Sequence, residues 1–209
     1  MHLTDEELRA LVSRTRRTYD ESAASYIRTT GTLDKFPGLD RELDRFFEAL
    51  PGNLVLDVGC GAGRDTAYLI ERGAVVVASD VSGEMLRHTR GRCAVFGAVQ
   101  CDLVALPLAA GVFDGVWACA SVLHLPSVTH LATFAEIHRV LAPGGVAGIS
   151  LKAGTGEGWV HDDRMSSPRW FSLRSPDAVV EELVAAGFGS VRVSPSGRGT
   201  WFVVEAVKA

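Results

Sequence analysis

The sequence predicts an α/β fold, an open and mostly parallel sheet with helices on both faces. Three observations carry that prediction. Leu54–Thr66 reads LVLDVGCGAGRDT: an apolar run, a glycine-rich turn, then a helical pattern. From there, short apolar runs alternate with helical patterns as far as Leu151, as parallel strands joined by crossover helices do. The final two apolar runs are joined by a turn too short for a crossover, so they must pair antiparallel.

Taken in order, Thr4–Ser25 reads as a helix. Thr4 can cap it, Glu7 follows three residues later, and Leu8, Leu11 and Val12 have helical spacing. A polar stretch punctuated by Gly and Pro runs from Thr29 to Gly38. Leu39–Leu50 is amphipathic, with Leu39, Leu43, Phe46, Phe47 and Leu50 on one side, and Pro51-Gly52 breaks it. The first strand, Leu54–Leu56, ends at Asp57. Arg64–Arg72 is helical and Gly73 stops it. Ala74–Ser79 is a continuous apolar run, expected of a strand covered on both faces, and Asp80 ends it. Glu84–Arg90 is the next helix. Ala98–Cys101 is a short strand ending at Asp102, and Val112–Cys119 is the fourth. Val128–Leu141 is a helix stopped by Pro143-Gly144-Gly145. Val146–Leu151 is the fifth strand. Ala153–Trp170 has no clear period and reads as a connecting loop at the rim. Pro176–Ala186 is helical, and Val191–Ser194 and Trp201–Val207 are strands around the turn Pro195–Gly199. The total is seven strands in a single domain over residues 1–209, with 1–50 as a helical cap and 51–209 as the core.

Composition narrows the class. The 209 residues are 47% hydrophobic and 22% charged, enough for one sizeable core and unlike a disordered chain. A net charge of −4 argues against a general nucleic-acid surface. Cys60, Cys93, Cys101 and Cys119 show no C-x-x-C spacing and read as reduced thiols, not a metal site or disulfide frame. The polar start predicts no leader, and no apolar run is long enough to span a membrane. The expectation is a soluble cytoplasmic protein without metal.

The glycine turn carries the chemistry. Glycines let a backbone turn sharply and a ligand approach closely, and the following helix N-terminus offers free N–H groups. The dinucleotide fingerprint G-x-G-x-x-G does not fit, because Arg64 stands where its third glycine should be. No G-x-x-x-x-G-K-[ST] is present. An acid two residues before the first glycine suits an ammonium-bearing ligand better than a pyrophosphate. Asp57, Asp80 and Asp102 end three successive strands, where open parallel sheets bind their ligands.

DVGCGAG resembles the first motif of the class I S-adenosylmethionine-dependent methyltransferases, and the resemblance extends over most of the chain. It implies a Rossmann-like sheet with the last strand inserted beside the fifth, and S-adenosylmethionine as cofactor. By that resemblance Asp57, Gly59, Cys60 and Gly61 line the methionine part. Asp80 holds the ribose, Val81 and Met85 pack near the adenine, Asp102 and Leu103 complete its pocket, and Ala120 faces the methionine. Met85 reads equally as core filling. Tyr19-Asp20 and Tyr26 resemble the family's lid segment, so Tyr19 and Tyr26 either close on ligand or pack the extra helix. His124, after the fourth strand, is the candidate general base or a loop-orienting histidine. His161, Arg164, Arg169 and Trp170 offer charge and aromatic surface for an acceptor, as do Trp159 and Trp201.

The reading is a methyltransferase acting on a small-molecule acceptor, a metabolite or natural product. Two alternatives stand beside it: a tRNA or protein methyltransferase guided by Arg14, Arg16 and Arg17, and a non-catalytic cofactor-binding partner subunit. A nicotinamide oxidoreductase is more distant.

Overall fold

The computed structural model describes residues 3–209; Met1 and His2, at the start of the expected cap, lie outside the described residues. Helix α1 spans Asp5–Thr30. The capping box forms: Thr4 Oγ1 accepts from the Glu7 N–H, and the Glu7 carboxylate accepts from the Thr4 N–H at 2.7 Å. Asp5, Glu6 and Glu7 put negative charge at the positive end of the helix dipole. The helix runs five residues past the expected Ser25. Thr29 and Thr30 stay helical because their hydroxyls donate back to the Tyr26 carbonyl. Helix α2 is Leu39–Glu48.

The core then alternates through β1 (Leu54–Val58), α3 (Arg64–Glu71), β2 (Val75–Asp80), α4 (Gly83–Arg92), β3 (Gly97–Gln100), β4 (Phe113–Cys119), α5 (His130–Val140) and β5 (Leu141–Lys152). After a hairpin, β6 (Glu157–Val160) and β7 (Arg169–Ser172), come α6 (Pro176–Ala185), β8 (Phe188–Pro195) and β9 (Trp201–Lys208). The main sheet has seven strands in the order β3-β2-β1-β4-β5-β9-β8. Strands β1 to β5 pair parallel, while β9 runs antiparallel between β5 and β8. The expected insertion of the last strand beside the fifth is therefore present. The order reverses between β1 and β4, which opens a crevice at their carboxyl ends.

Side chains alternate across the sheet with the strand period of two. Leu56, Val58, Val116, Ala118 and Ile149 face Phe134 and Ile137 of α5 and Val179 and Leu183 of α6. Val55, Val76, Trp117 and Val146 face Leu39, Leu43 and Phe46 of α2 and Leu69 of α3. Helix α2 comes so close that a Cβ at Gly148 would sit 2.6 Å from the Trp117 ring and 2.9 Å from Phe46. Its packing makes α2 a full member of one helical layer.

The segment expected to be a loop differs most. Residues 157–172 form a two-stranded antiparallel hairpin in which Trp159 pairs with Trp170. Those rings pack edge to face at 5.6 Å, and the Arg14 guanidinium stacks on Trp159 at 3.9 Å. Arg16 pairs with Asp20, and Arg17 donates to Ser13. Arg14, Arg16 and Arg17 make these contacts from exposed positions on α1. Among the described residues, no helix is long and apolar enough to cross a membrane.

Candidate functional site

Two connected cavities open at the carboxyl ends of β1, β2 and β4. The narrower, about 90 Å³, is lined by Asp80, Val81, Asp102 and Leu103 from the β2 and β3 ends, and by Val12, Thr15 and Tyr19 of α1. The wider, about 940 Å³, reaches under the β6–β7 hairpin and past Asp57, Arg64, Lys152, Trp159, Phe171 and Trp201. Tyr26, Gly59, Gly61, Cys119, Ala120 and His124 line both, so they mark the junction.

The glycine loop is fixed from below. Gly59 and Cys60 N–H groups donate to the Ser79 carbonyl, and the Gly61 N–H donates to Asp80 Oδ2 at 2.8 Å. Asp80 Oδ1 accepts from the Ser82 N–H at 2.9 Å. Burial pushes the Asp80 carboxyl up to about 6 despite these bonds. Asp57 is deeper. Its Oδ2 accepts from the Thr66 hydroxyl at 2.6 Å, and burial, with Asp65 nearby, pushes it up to about 7. Gly61 has φ +54 and a Cβ there would meet nothing within 4 Å, whereas a Cβ at Gly59 would strike the Ser121 Cβ at 2.4 Å. Ala120 holds a positive φ of 55, the one non-glycine residue to do so among the described residues. Such a conformation is strained and favours functional sites.

Above the junction, α1 and the hairpin are joined by a directed chain of hydrogen bonds. The Trp170 carbonyl can only accept, so His124 Nδ1 carries the proton and donates to it at 2.7 Å. His124 Nε2 therefore accepts from the Tyr19 hydroxyl at 2.9 Å. The Tyr19 oxygen accepts from Arg169 Nη1 at 3.2 Å. Arg169 also donates to Asp162, which Arg164 engages at 2.8 Å. Burial, helped by the Arg169 charge, pushes the His124 imidazole down to about 3. The same helix is pinned at Ser22–Ser166, at Thr18 to the Pro168 carbonyl, and at Asp20 to the Ser82 hydroxyl (2.6 Å).

A family model described as a methyltransferase domain matches residues 55–145. The malonyl-[acyl-carrier protein] O-methyltransferase of Pseudescherichia vulneris is 31% identical over 184 residues, 83% of this chain and 70% of that protein. The chain belongs to the class I S-adenosylmethionine-dependent methyltransferases. The protein of the same name from Enterobacter lignolyticus is 32% identical over 152 residues, and the match spans only 60% of its length. Burkholderia thailandensis 1,6-didemethyltoxoflavin-N1-methyltransferase, solved with 1,6-didemethyltoxoflavin and S-adenosylhomocysteine, has the same fold: TM-score 0.75 over all of this chain and 92% of that one, at 22% identity.

The residues of this chain fit the family's cofactor. Open space lies over Gly61, and the buried Ser121 hydroxyl beside the loop has no hydrogen-bond partner. Of the residues expected to line the cofactor, Tyr26, Asp57, Gly59, Cys60, Gly61, Asp80, Val81, Asp102, Leu103 and Ala120 border one cavity or both. Met85 does not. It is fully buried on α4, its N–H capped by the Ser82 hydroxyl, and it fills the core. Of the expected acceptor residues, Tyr19, His124, Arg164 and Arg169 border the cavities. Trp170 is buried, its indole N–H donating to Ser172 Oγ, and its partner Trp159 faces the space instead. His161 is exposed and borders neither cavity. The basic nitrogen of His124 accepts from Tyr19 in this arrangement, so His124 ties the end of β4 to α1.

Sequence reasoning missed Lys152 and Arg198 on the wider cavity. A signal existed for Arg198. A strand antiparallel to β5 must begin at the carboxyl end of β5, so the Pro195–Gly199 turn reaches the rim. Among the described residues, no cluster of three His, Cys, Asp or Glu is arranged to hold a metal.

Tyr19→Phe removes the middle of the chain while preserving the ring. It leaves a buried imidazole nitrogen unsatisfied, so unfolding free energy drops by about 1–3 kcal/mol. Urea denaturation at pH 8, where the imidazole is neutral in both states, measures this directly, and an unchanged midpoint would refute the Tyr19–His124 bond.

Proposed function

We propose that this chain transfers the methyl group of S-adenosylmethionine to a small molecule held in the wider cavity. The observation that carries the proposal is the shared wall. An acid-tipped cleft suited to adenosine meets a larger aromatic and polar space at Gly59, Gly61, Ala120 and His124. Bound there, the cofactor supplies a methyl carbon on a sulfonium, which an acceptor displaces in line.

The residues of the chain position and desolvate, which is most of what such a displacement needs. Asp80 keeps lone pairs for ribose hydroxyls while its bonds to Gly61 and Ser82 hold the loop. Asp102 and Leu103 offer an acid and an apolar surface to adenine. Asp57 sits at the methionine end, near the turn. His124 positions: it ties the end of β4 to the hairpin through the Trp170 carbonyl and to α1 through Tyr19. Val12, Thr15 and Tyr19 of helix α1 cover the narrow cleft. Helix α1 must therefore lift from it for an adenosine to enter, then close over the site.

Two measurements test the proposal. Isotope transfer from labelled S-adenosylmethionine to a metabolite panel tests turnover, and cofactor binding without transfer to any of them would favour the partner-subunit alternative. Hydrogen exchange tests closure. Residues 19–26 and 154–170 exchange more slowly once S-adenosylhomocysteine and acceptor are added, while the central strands change little. Protection limited to the glycine loop would rule out a lid.

A further inference from the structure

The wall of the wider cavity is cationic in a chain whose net charge is −4. Lys35, Arg64, Lys152, Arg164, Arg169 and Arg198 border it, against four carboxyl groups. Several of these charges are cancelled. Arg64 grips Asp65 through two nitrogens, and Arg198 pairs with the buried Glu42 at 2.7 Å. Under the hairpin the balance is different. Arg164 and Arg169 share one carboxylate, Asp162, and Lys152 has no ion-pair partner among the described residues. Arg169 is only 3% exposed, yet of its five N–H donors two are engaged, by Tyr19 and by Asp162.

A second observation is independent of charge. Each imidazole and carboxyl group on that wall already has a hydrogen-bond partner within the chain. His124 accepts from Tyr19. Asp57 accepts from Thr66, and Asp65 is held by Arg64 and the Trp117 indole at 3.0 Å. Glu157 accepts from the Ser127 N–H and the Ser172 hydroxyl, and Asp162 serves two arginines. An alcohol or phenol must lose its proton as it attacks, whereas a carboxylate attacks without a base. An aliphatic amine is a cation at neutral pH, and an arginine-lined wall beside a sulfonium repels it.

We propose that the acceptor is a carboxylic acid, held by Arg164, Arg169 and Lys152 and methylated on its own carboxylate oxygen without a general base. The proposal rests on the methyl-transfer reading and names its substrate class. One carboxylate oxygen forms a bond to the methyl carbon with its own lone pair. The carbon–sulfur bond breaks and its electrons stay on sulfur. The products are a methyl ester and the thioether, and no proton moves. A negative and a positive charge are both lost, a change that a water-poor cavity favours. Trp159, Phe171 and Trp201 surround the remaining space, so the body of the acid is planar and apolar.

The test uses the full chain loaded with S-adenosylhomocysteine, titrated calorimetrically with indole and benzene carboxylic acids, the matched primary amides and the matched phosphonic acids. The carboxylic acids bind at least about tenfold more tightly than their amides. Lys152→Gln and Arg164→Gln, both at incompletely buried positions, each shrink that preference at least threefold, with retained S-adenosylhomocysteine affinity reporting an intact fold. In turnover with methyl-labelled cofactor, mild alkali releases the label from the product as volatile methanol. Acids that bind no better than amides overturn the proposal, as does a base-stable label or a preference for the phosphonic acids. In each of those cases the methyl-transfer reading stands as long as label reaches an acceptor. Absent binding of S-adenosylhomocysteine overturns that reading and the proposal with it.

Discussion

Gly61→Val weakens S-adenosylmethionine binding at least about 100-fold, a loss of more than about 2.7 kcal/mol, while the chain still folds. Two effects add. Gly61 has φ +54, where a β-branched residue is strained by roughly 1–2 kcal/mol. The larger effect is occupancy. A Cβ there meets nothing within 4 Å, so the protein accommodates it, but its methyl groups project into the space both cavities share. Gly59 is the contrast. A Cβ at that position strikes Ser121 at 2.4 Å, so Gly59→Val damages the fold itself. Calorimetry beside thermal melting separates the two: Gly61→Val melts within a few degrees of wild type without binding, and Gly59→Val melts early. Normal binding by Gly61→Val would mean that the cofactor does not approach this turn.

What the sequence made legible was whatever its local chemistry decides. The strand, glycine turn and helix of Leu54–Glu71 follow from residues adjacent in the chain. So does the Thr4–Glu7 capping box, and the short Pro195–Gly199 turn forces β8 and β9 to pair antiparallel. Three acids at successive strand ends could be brought to one rim because parallel strands present their carboxyl ends on the same side. The β6–β7 hairpin was not legible. Its four-residue strands are shorter than any periodicity can register, and they depend on Trp159 meeting Trp170 and on Arg14, far earlier in the chain, stacking on that ring. The hydrogen-bonded setting of His124 was hidden for the same reason. The partner that occupies its basic nitrogen, Tyr19, lies 105 residues away, and only the folded chain brings the two to 2.9 Å. Met85 was ambiguous by nature, since apolar residues near an adenine and apolar residues in a core leave the same pattern.

The closed arrangement also explains why Arg169 is buried without a carboxylate of its own. Desolvating a guanidinium is costly unless its donors are met. Here Tyr19, a shared Asp162 and the rings of Tyr26 and Phe171, within 5.1–5.7 Å, supply the partners. Lifting α1 withdraws Tyr19 and Tyr26 together, because they lie seven residues apart on one face of the helix. On the proposed lid reading, opening would expose the Arg169 charge to an arriving acid, and closing would cover it again.

Asp80→Ala weakens S-adenosylmethionine binding by about 1.5–3 kcal/mol, the cost of losing hydrogen bonds to a charged acceptor, and it flattens the pH dependence of binding. The Asp80 carboxyl, pushed up to about 6 by burial, takes a proton in the unliganded protein as pH falls through that value. A neutral carboxyl must use one oxygen as a donor, so it cannot accept from Gly61, from Ser82 and from two ribose hydroxyls at once. Binding then requires the proton to leave. Affinity is greatest above about pH 7 and falls as pH drops below 6, approaching tenfold per unit for a single proton. The carboxyl of Asp57, pushed up to about 7, contributes a slope of its own from slightly higher pH. The diagnostic is therefore the difference between the two proteins: the variant keeps the Asp57 component and loses the part below pH 6. Calorimetric titrations from pH 5 to 8.5 measure it, and parallel pH curves for wild type and Asp80→Ala would show that the acid at this strand end does not touch the ribose.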